Sequence, residues 1–202
     1  MTDVHEEVQL LAQKIKAVIF DVDGVVFPAE VTEGWYDAEG KPIRVKTRSY
    51  TDGQGVSLLR AIHLPVAFIT NEHGDHARAI SGVVEKWNTL PSSTKAPGDG
   101  GWPSVHLYTG MGGEKKVVAA KQFLQKVGLR SLQDCAMMGD DLVDVPLLRL
   151  VSLRAAPAQA EDVVKNLCHF VAKRDGGKGA IRDLANFILD ARGIDPTTLP
   201  PN

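Results

Sequence analysis

Five short apolar runs, each stopping at a polar cluster and separated by longer amphipathic stretches, constrain what this chain can fold into. Lys16–Phe20 stops at Asp21-Val22-Asp23-Gly24, and Pro65–Ile69 stops at Thr70-Asn71. Ser104–Tyr108 stops at Thr109-Gly110, Asp134–Met138 at Gly139-Asp140-Asp141, and His169–Ala172 at Lys173-Arg174-Asp175-Gly176-Gly177. Runs this short and this rich in β-branched and aromatic residues have the length of buried strands. Between them, Lys115–Val127 sets Val118, Phe123, Leu124 and Val127 at helical spacing, and Ile181–Ala191 does the same with Leu184, Phe187 and Ile188. Continuous apolar strands alternating with helices predict an α/β chain whose mainly parallel sheet is covered on both faces. Ligands in such sheets bind beyond the carboxyl ends of the strands, so the polar strand ends predict one site.

The 202 residues suit a single domain, with a core at about 14–192 and a flexible tail at 195–202. A hydrophobic share of 44% and a net charge of -2 exclude disordered, collagen-like and coiled-coil classes. Basic and acidic residues, 23 against 25, supply no overall field for nucleic acid. The longest apolar run, Leu64–Ile69, falls far short of a membrane span, so no membrane partner is expected. Cys135 and Cys168 have neither a disulfide framework nor zinc spacing and read as small buried residues of strands. The stretch Met1–Glu7 is acidic where a targeting signal is basic, which makes the cytoplasm the expected location. Two segments break the alternation. Val31–Tyr36 and Ile43–Thr47 flank Asp37–Lys41 and predict a β-hairpin flap over about 29–48, projecting across the end of the first strand. Residues 89–103, rich in Pro, Gly and Ser, read as a loop insertion.

Asp21 and Asp23, two residues apart beyond a buried strand, share one cleft if the chain turns at Gly24. Asp140, Asp141 and Asp144 form a second acidic group, of which Asp141 or Asp144 is expected to cap the helix that follows. Carboxylates gathered at one sheet end repel one another by about 4 kcal/mol at 4 Å and an effective dielectric near 20, which invites a hard divalent cation. Oxygen donors without nearby His or Cys select Mg²⁺. Thr70, Asn71 and Lys116 complete a phosphate cradle, with Lys115 as the natural control for a solvated helix lysine.

Asp21-Val22-Asp23-Gly24-Val25, Thr70, Lys116 and Gly139-Asp140-Asp141-Leu142-Val143-Asp144 resemble, in order, the motifs of the haloacid dehalogenase-like (HAD) phosphohydrolases. The hairpin, Tyr50–Val56 and Lys173–Arg182 resemble the small branch without a large cap domain. That branch contains 3-deoxy-D-manno-octulosonate 8-phosphate phosphatases, sialic-acid-type 9-phosphate phosphatases and the C-terminal domain of some acylneuraminate cytidylyltransferases. The resemblance implies a Rossmann-like three-layer fold and a Mg²⁺-dependent phosphomonoester hydrolase acting on a phosphorylated acidic sugar. It further implies Asp21 as nucleophile and Asp23 as acid and base, with Thr70, Asn71 and Lys116 on the phosphoryl oxygens. The metal is implied on Asp21, the main-chain carbonyl of Asp23 and Asp140, with Asp141 or Asp144 assisting. Glu72, Asp52, Arg174 and Lys178 are implied at the substrate rim, and a homotetramer is implied in which the hairpin and the Asp175–Gly179 turn cover a neighbour's site or the same subunit's rim. Thr70-Asn71-Glu72 departs from the Thr-Gly-Arg usual among octulosonate enzymes and is similar to the 9-phosphate phosphatases. Two other classes are weighed against this one: a non-catalytic oligomerisation module, disfavoured because all four chemical positions are present, and a phospho-acceptor receiver domain, whose reactive Asp ends a middle strand.

Overall fold

The structure, a computed structural model, describes residues 4–200, so the first residues of the acidic N-terminal stretch and the end of the tail lie outside the described residues. Helix α1 (Val4–Lys14) leads into β1 (Ala17–Phe20), and the hairpin β2 (Thr32–Tyr36) and β3 (Pro42–Val45) follows directly. Next come α2 (Tyr50–Ala61), β4 (Val66–Ile69), α3 (Arg78–Asn88), the single turn α4 (Pro91–Thr94) and β5 (Val105–Tyr108). The second half runs α5 (Glu114–Lys126), β6 (Cys135–Met138), α6 (Val145–Leu148), β7 (Leu153–Ala156), α7 (Asp162–Lys165), β8 (Phe170–Val171) and α8 (Ala180–Ala191).

The six sheet strands lie in the order β5-β4-β1-β6-β7-β8 and pair in parallel throughout. From β1 the chain moves outward one way through β4 and β5, then returns to lay β6, β7 and β8 on the other side. The switch point, where crossovers diverge and leave a crevice, therefore lies between β1 and β6. Strand alternation divides the core: Val18 and Phe20 face α1, α2, α3 and α8, while Ala17 and Ile19 face α5, α6 and α7. Both faces are covered, which is why these strands read as unbroken apolar runs.

Two sequence expectations need correction. β7 was not among the five expected strands; its Leu-Arg-Ala-Ala sequence carries weak β-propensity, and pairing with β6 and β8 holds it in place. Cys135 is buried in β6 as expected, but Cys168 is half-buried in the turn between α7 and β8. Segment 89–103 is mostly exposed or half-buried, contains the single turn α4, and buries Trp102. Arg60 of α2 anchors it from beneath, donating to the Pro103 carbonyl at 2.7 Å and to Ser93 Oγ at 2.6 Å. Arg60 is fully buried, and that burial lowers its pKa to about 10, so these acceptors satisfy a costly charge. Among the described residues, no helix is long and apolar enough to cross a membrane.

Candidate active site

The parallel register brings the polar strand ends together. Phe20 lies beside Phe68 of β4 and Met138 of β6, and the Asp21 N–H donates to the Met138 carbonyl at 3.0 Å, so Asp21 leaves the sheet alongside Gly139 and Asp140. Immediately afterwards the chain doubles back, with the N–H groups of Val25, Val26 and Phe27 all donating to the Val22 carbonyl. The turn depends on Gly24, whose φ is +84° and whose missing Cβ would overlap the Asp140 carboxylate. Glycine here lets the β1 loop close onto the β6 loop.

Asp21, Asp140 and Asp144 each present a carboxylate oxygen, and these oxygens lie within 4.8 Å of one another. Lys116, in the first turn of α5, reaches into this group and donates to Asp21 Oδ1 and Asp144 Oδ1 at 2.5 Å each. It is completely buried, whereas Lys115 is exposed, because the helix stripe of Ala119, Ala120 and Phe123 carries Lys116 inward. Burial alone would lower the Lys116 pKa; Asp21 and Asp144 outweigh it and raise it. Burial, then the charge of Asp144, pushes the Asp21 carboxyl well above the usual carboxylate range, against the pull of Lys116. Asp140 is pushed up to about 7 by burial, then by Asp144 and Asp141. One ammonium faces three carboxylates, and Asp140 Oδ1 is buried without a hydrogen-bond partner. Uncompensated negative charge and an orphaned oxygen are what a divalent cation would satisfy.

The capping question has a divided answer. Asp141 Oδ1 accepts from the Leu142 N–H at 2.6 Å, while Asp144 Oδ2 accepts from the N–H groups of Asp140 at 3.0 Å and Asp141 at 3.3 Å. Together they form a reciprocal capping box that fixes the β6 loop. Asp144 thus holds the loop and pairs Lys116 simultaneously. Thr70 is buried at the end of β4, and its Oγ1 accepts from the Glu72 N–H at 3.0 Å. Asn71 is exposed and lies against Gly112, just before α5.

Sequence reasoning placed the hairpin as a flap but missed its charged side chains, Lys46 and Arg44. Asp23, half-buried at the mouth, is bonded by the Lys46 ammonium, which also lies 3.6 Å from Glu72 Oε1. Arg44 bonds Glu33 at 2.6 Å and His76 at 2.6 Å and sits 4.0 Å from Glu72. The flap therefore bends over its own subunit's site. The position of the hairpin directly after β1 predicts such a flap; the part played by its charged side chains had as its signal the two-residue spacing of Arg44 and Lys46.

Of the expected rim residues, Glu72 lies at the mouth beside Lys46, and the other three have their own partners. Asp52 is buried and accepts from the N–H groups of Gly179 and Ile181 at 2.9 Å each, so it caps α8. Burial raises its carboxyl to about 6 despite those donors. Arg174 is tied to Asp183 at 2.7 Å and Lys178 to Asp175 at 3.2 Å. The turn carrying them packs on the same subunit's β1 loop, with the Gly177 N–H donating to the Val25 carbonyl at 2.8 Å. Gln159 bridges the two segments, donating to the Gly24 carbonyl and accepting from the Gly176 N–H at 2.7 Å each.

Acid-bearing ends of β1 and β6, meeting beside a buried lysine under a hairpin flap, define a phosphatase of the HAD class. No family model matches the chain. Whole-chain similarity is specific all the same: the 3-deoxy-D-manno-octulosonate 8-phosphate phosphatase of Yersinia pestis is 31% identical over 189 residues, which are 94% of this chain and 87% of that protein. The chain belongs to that phosphatase family within the HAD superfamily. Among solved structures, a Yersinia pestis 3-deoxy-D-manno-octulosonate 8-phosphate phosphatase aligns with a TM-score of 0.72 at 27% identity, covering 93% of this chain and 87% of that one. The cobalt-bound deoxy-D-mannose-octulosonate 8-phosphate phosphatase of Haemophilus influenzae aligns with a TM-score of 0.69 at 27% identity, covering 91% and 92%.

Proposed function

We propose that this chain, as a single catalytic domain, hydrolyses the phosphomonoester of a phosphorylated acidic sugar by way of an aspartyl-phosphate on Asp21. The observation that carries this reading is the Lys116 bridge: Lys116 engages Oδ1 of Asp21 and leaves Oδ2 to approach phosphorus. The Asp21 Oδ2–P bond forms as the P–O bond to the sugar breaks, and Asp23 gives its proton to the departing oxygen. In the second half Asp23 takes a proton from water, which attacks the acyl phosphate and restores Asp21. Thr70, Asn71 and the first turn of α5 would bind the phosphoryl oxygens, the helix terminus favouring anions.

Asp21 and Asp140 would hold a divalent cation, with the Asp23 carbonyl and Asp144 beside them; the all-oxygen donor set and the orphaned Asp140 oxygen fit Mg²⁺. When bound, such an ion neutralises the repulsion between a carboxylate nucleophile and a phosphate dianion. A cobalt-bound relative supports a divalent site. For the substrate, the relatives' names favour octulosonate 8-phosphate, while Glu72 in place of the usual arginine makes nonulosonate 9-phosphate the natural competitor. The apolar outer face of the hairpin, with Trp35, Ile43 and Val45 exposed, supports a homo-oligomer, which we take to be a tetramer acting in the cytoplasm.

Phosphate release from octulosonate 8-phosphate and nonulosonate 9-phosphate, with Mg²⁺ and after chelation, tests the proposal. Turnover of at least one acid that chelation stops and Asp21→Asn abolishes is expected. Turnover retained by Asp21→Asn overturns it.

A further inference from the structure

The hairpin is amphipathic in the wrong sense for a simple cover. Its register pairs Trp35 with Ile43 and Thr32 with Val45, and the three apolar side chains point to solvent, with Trp35 56%, Ile43 40% and Val45 45% exposed. Alternation sends Arg44 and Lys46 the other way, onto the protein, and the Lys46 side chain keeps only 7% of its exposure. A strand laid over a protein merely to exclude water would bury its isoleucine and valine. Burying a lysine is costly unless its charge is used. Lys46 has three neighbours: the Asp23 carboxylate, Glu72 at 3.6 Å, and the Phe27 ring with its centroid 5.6 Å away. Phe27 belongs to the same doubled-back loop as Asp23 and pairs with it in a β-bridge. Lys46 thus closes a ring of contacts around the Asp23 carboxyl group at the mouth of the site.

From this arrangement we infer that Lys46 is a positioning residue for proton transfer: the flap fixes the Asp23 carboxyl toward the sugar oxygen and lies against the carboxylate that remains once the proton has left. The inference rests on the phosphatase reading and adds to it a chemical role for the hairpin. In the step concerned the P–O electron pair passes to the leaving oxygen, which takes the Asp23 proton, while Asp21 Oδ2 bonds to phosphorus. A sugar alkoxide needs that proton. A nitrophenolate leaves without it. Lys46 should therefore matter in proportion to the basicity of the leaving group, a dependence that a purely structural residue does not produce.

The experiment compares wild type, Lys46→Met, Lys46→Gln and Lys46→Arg on octulosonate 8-phosphate and on p-nitrophenyl phosphate, with kcat and KM measured separately. The ratio of kcat on the sugar ester to kcat on the aryl ester is expected to fall about 10–100-fold in the methionine and glutamine variants, part of the range over which a positioned acid contributes. KM for the sugar ester should move less than about threefold, and Lys46→Arg should recover part of the ratio. An unchanged ratio, or an effect confined to KM, overturns the role assigned to Lys46 and leaves the phosphatase reading standing. Wild-type protein that releases phosphate from neither ester overturns that reading and this inference together.

Discussion

Replacing Lys116 by methionine keeps the length of the side chain and removes its charge, so it isolates the electrostatic keystone of the acidic cluster. The lysine is fully buried and makes two ion pairs at 2.5 Å, to an Asp144 that is fully buried and an Asp21 whose side chain is only 8% exposed. Breaking a buried pair by removing one partner costs about 3–5 kcal/mol, because the surviving charge is left without compensation. In a domain of this size each kcal/mol moves the melting midpoint by about 2–4 °C, so a drop of about 6–20 °C is expected. The pH dependence has a definite sign. Burial and then Asp144 already raise Asp21, Lys116 opposes them, and the variant loses that opposition. An acid whose folded pKa is raised destabilises the fold above that pKa and is relieved by protonation, so the deficit should be largest near pH 8 and shrink toward pH 5. Thermal unfolding followed by circular dichroism in chelator, with Lys115→Met as the exposed control, measures it. The control should stay within about 0.5 kcal/mol of wild type. Equal melting of the two variants at pH 8, or a gap that widens as pH falls, refutes the reasoning.

Other outcomes follow from single contacts. Gly24→Ala combines a φ of +84° with overlap of the Asp140 carboxylate, so it should abolish phosphate release and cost about 1–2 kcal/mol in a urea melt; wild-type turnover would mean that the two loops need not close. Because Asp140 is pushed up to about 7 by burial first, proton and metal compete there, and calorimetric Mg²⁺ affinity should weaken by up to about tenfold per pH unit below 7. An affinity constant from pH 8 to 5.5 would contradict this. Asp52→Ala removes the α8 cap and should cost about 0.5–2 kcal/mol with KM shifted less than about twofold; a large KM change without lost stability would return Asp52 to the substrate rim.

The sheet was legible where residues on both faces of a strand are apolar, as in Ala17–Phe20 and Val66–Ile69. It was not legible at β7, where Arg154 interrupts and alanines carry little strand preference, so that tertiary pairing decides. Asp21, Asp140 and Lys116 could be brought together from sequence because parallel topology sends strand ends to one edge, and because Lys116 shares a helical stripe with Ala120 and Phe123. Asp52 could not be placed. An acid ahead of a helical pattern looks alike whether it caps a distant helix or faces a ligand, and its donors lie 127 and 129 residues away. The inner face of the hairpin was not legible for a different reason: alternation identifies two faces without saying which is inner, and here the one carrying Arg44 and Lys46 is.

The central claim is that Asp21, and no other carboxylate of the cluster, bonds to phosphorus. Borohydride added during turnover of octulosonate 8-phosphate reduces an acyl phosphate, and peptide mass spectrometry then locates the reduced side chain. The account predicts reduction at position 21 alone, dependent on substrate and absent from Asp21→Asn. Reduction at Asp23 or Asp140, or steady turnover with Asp21 never modified, would contradict it.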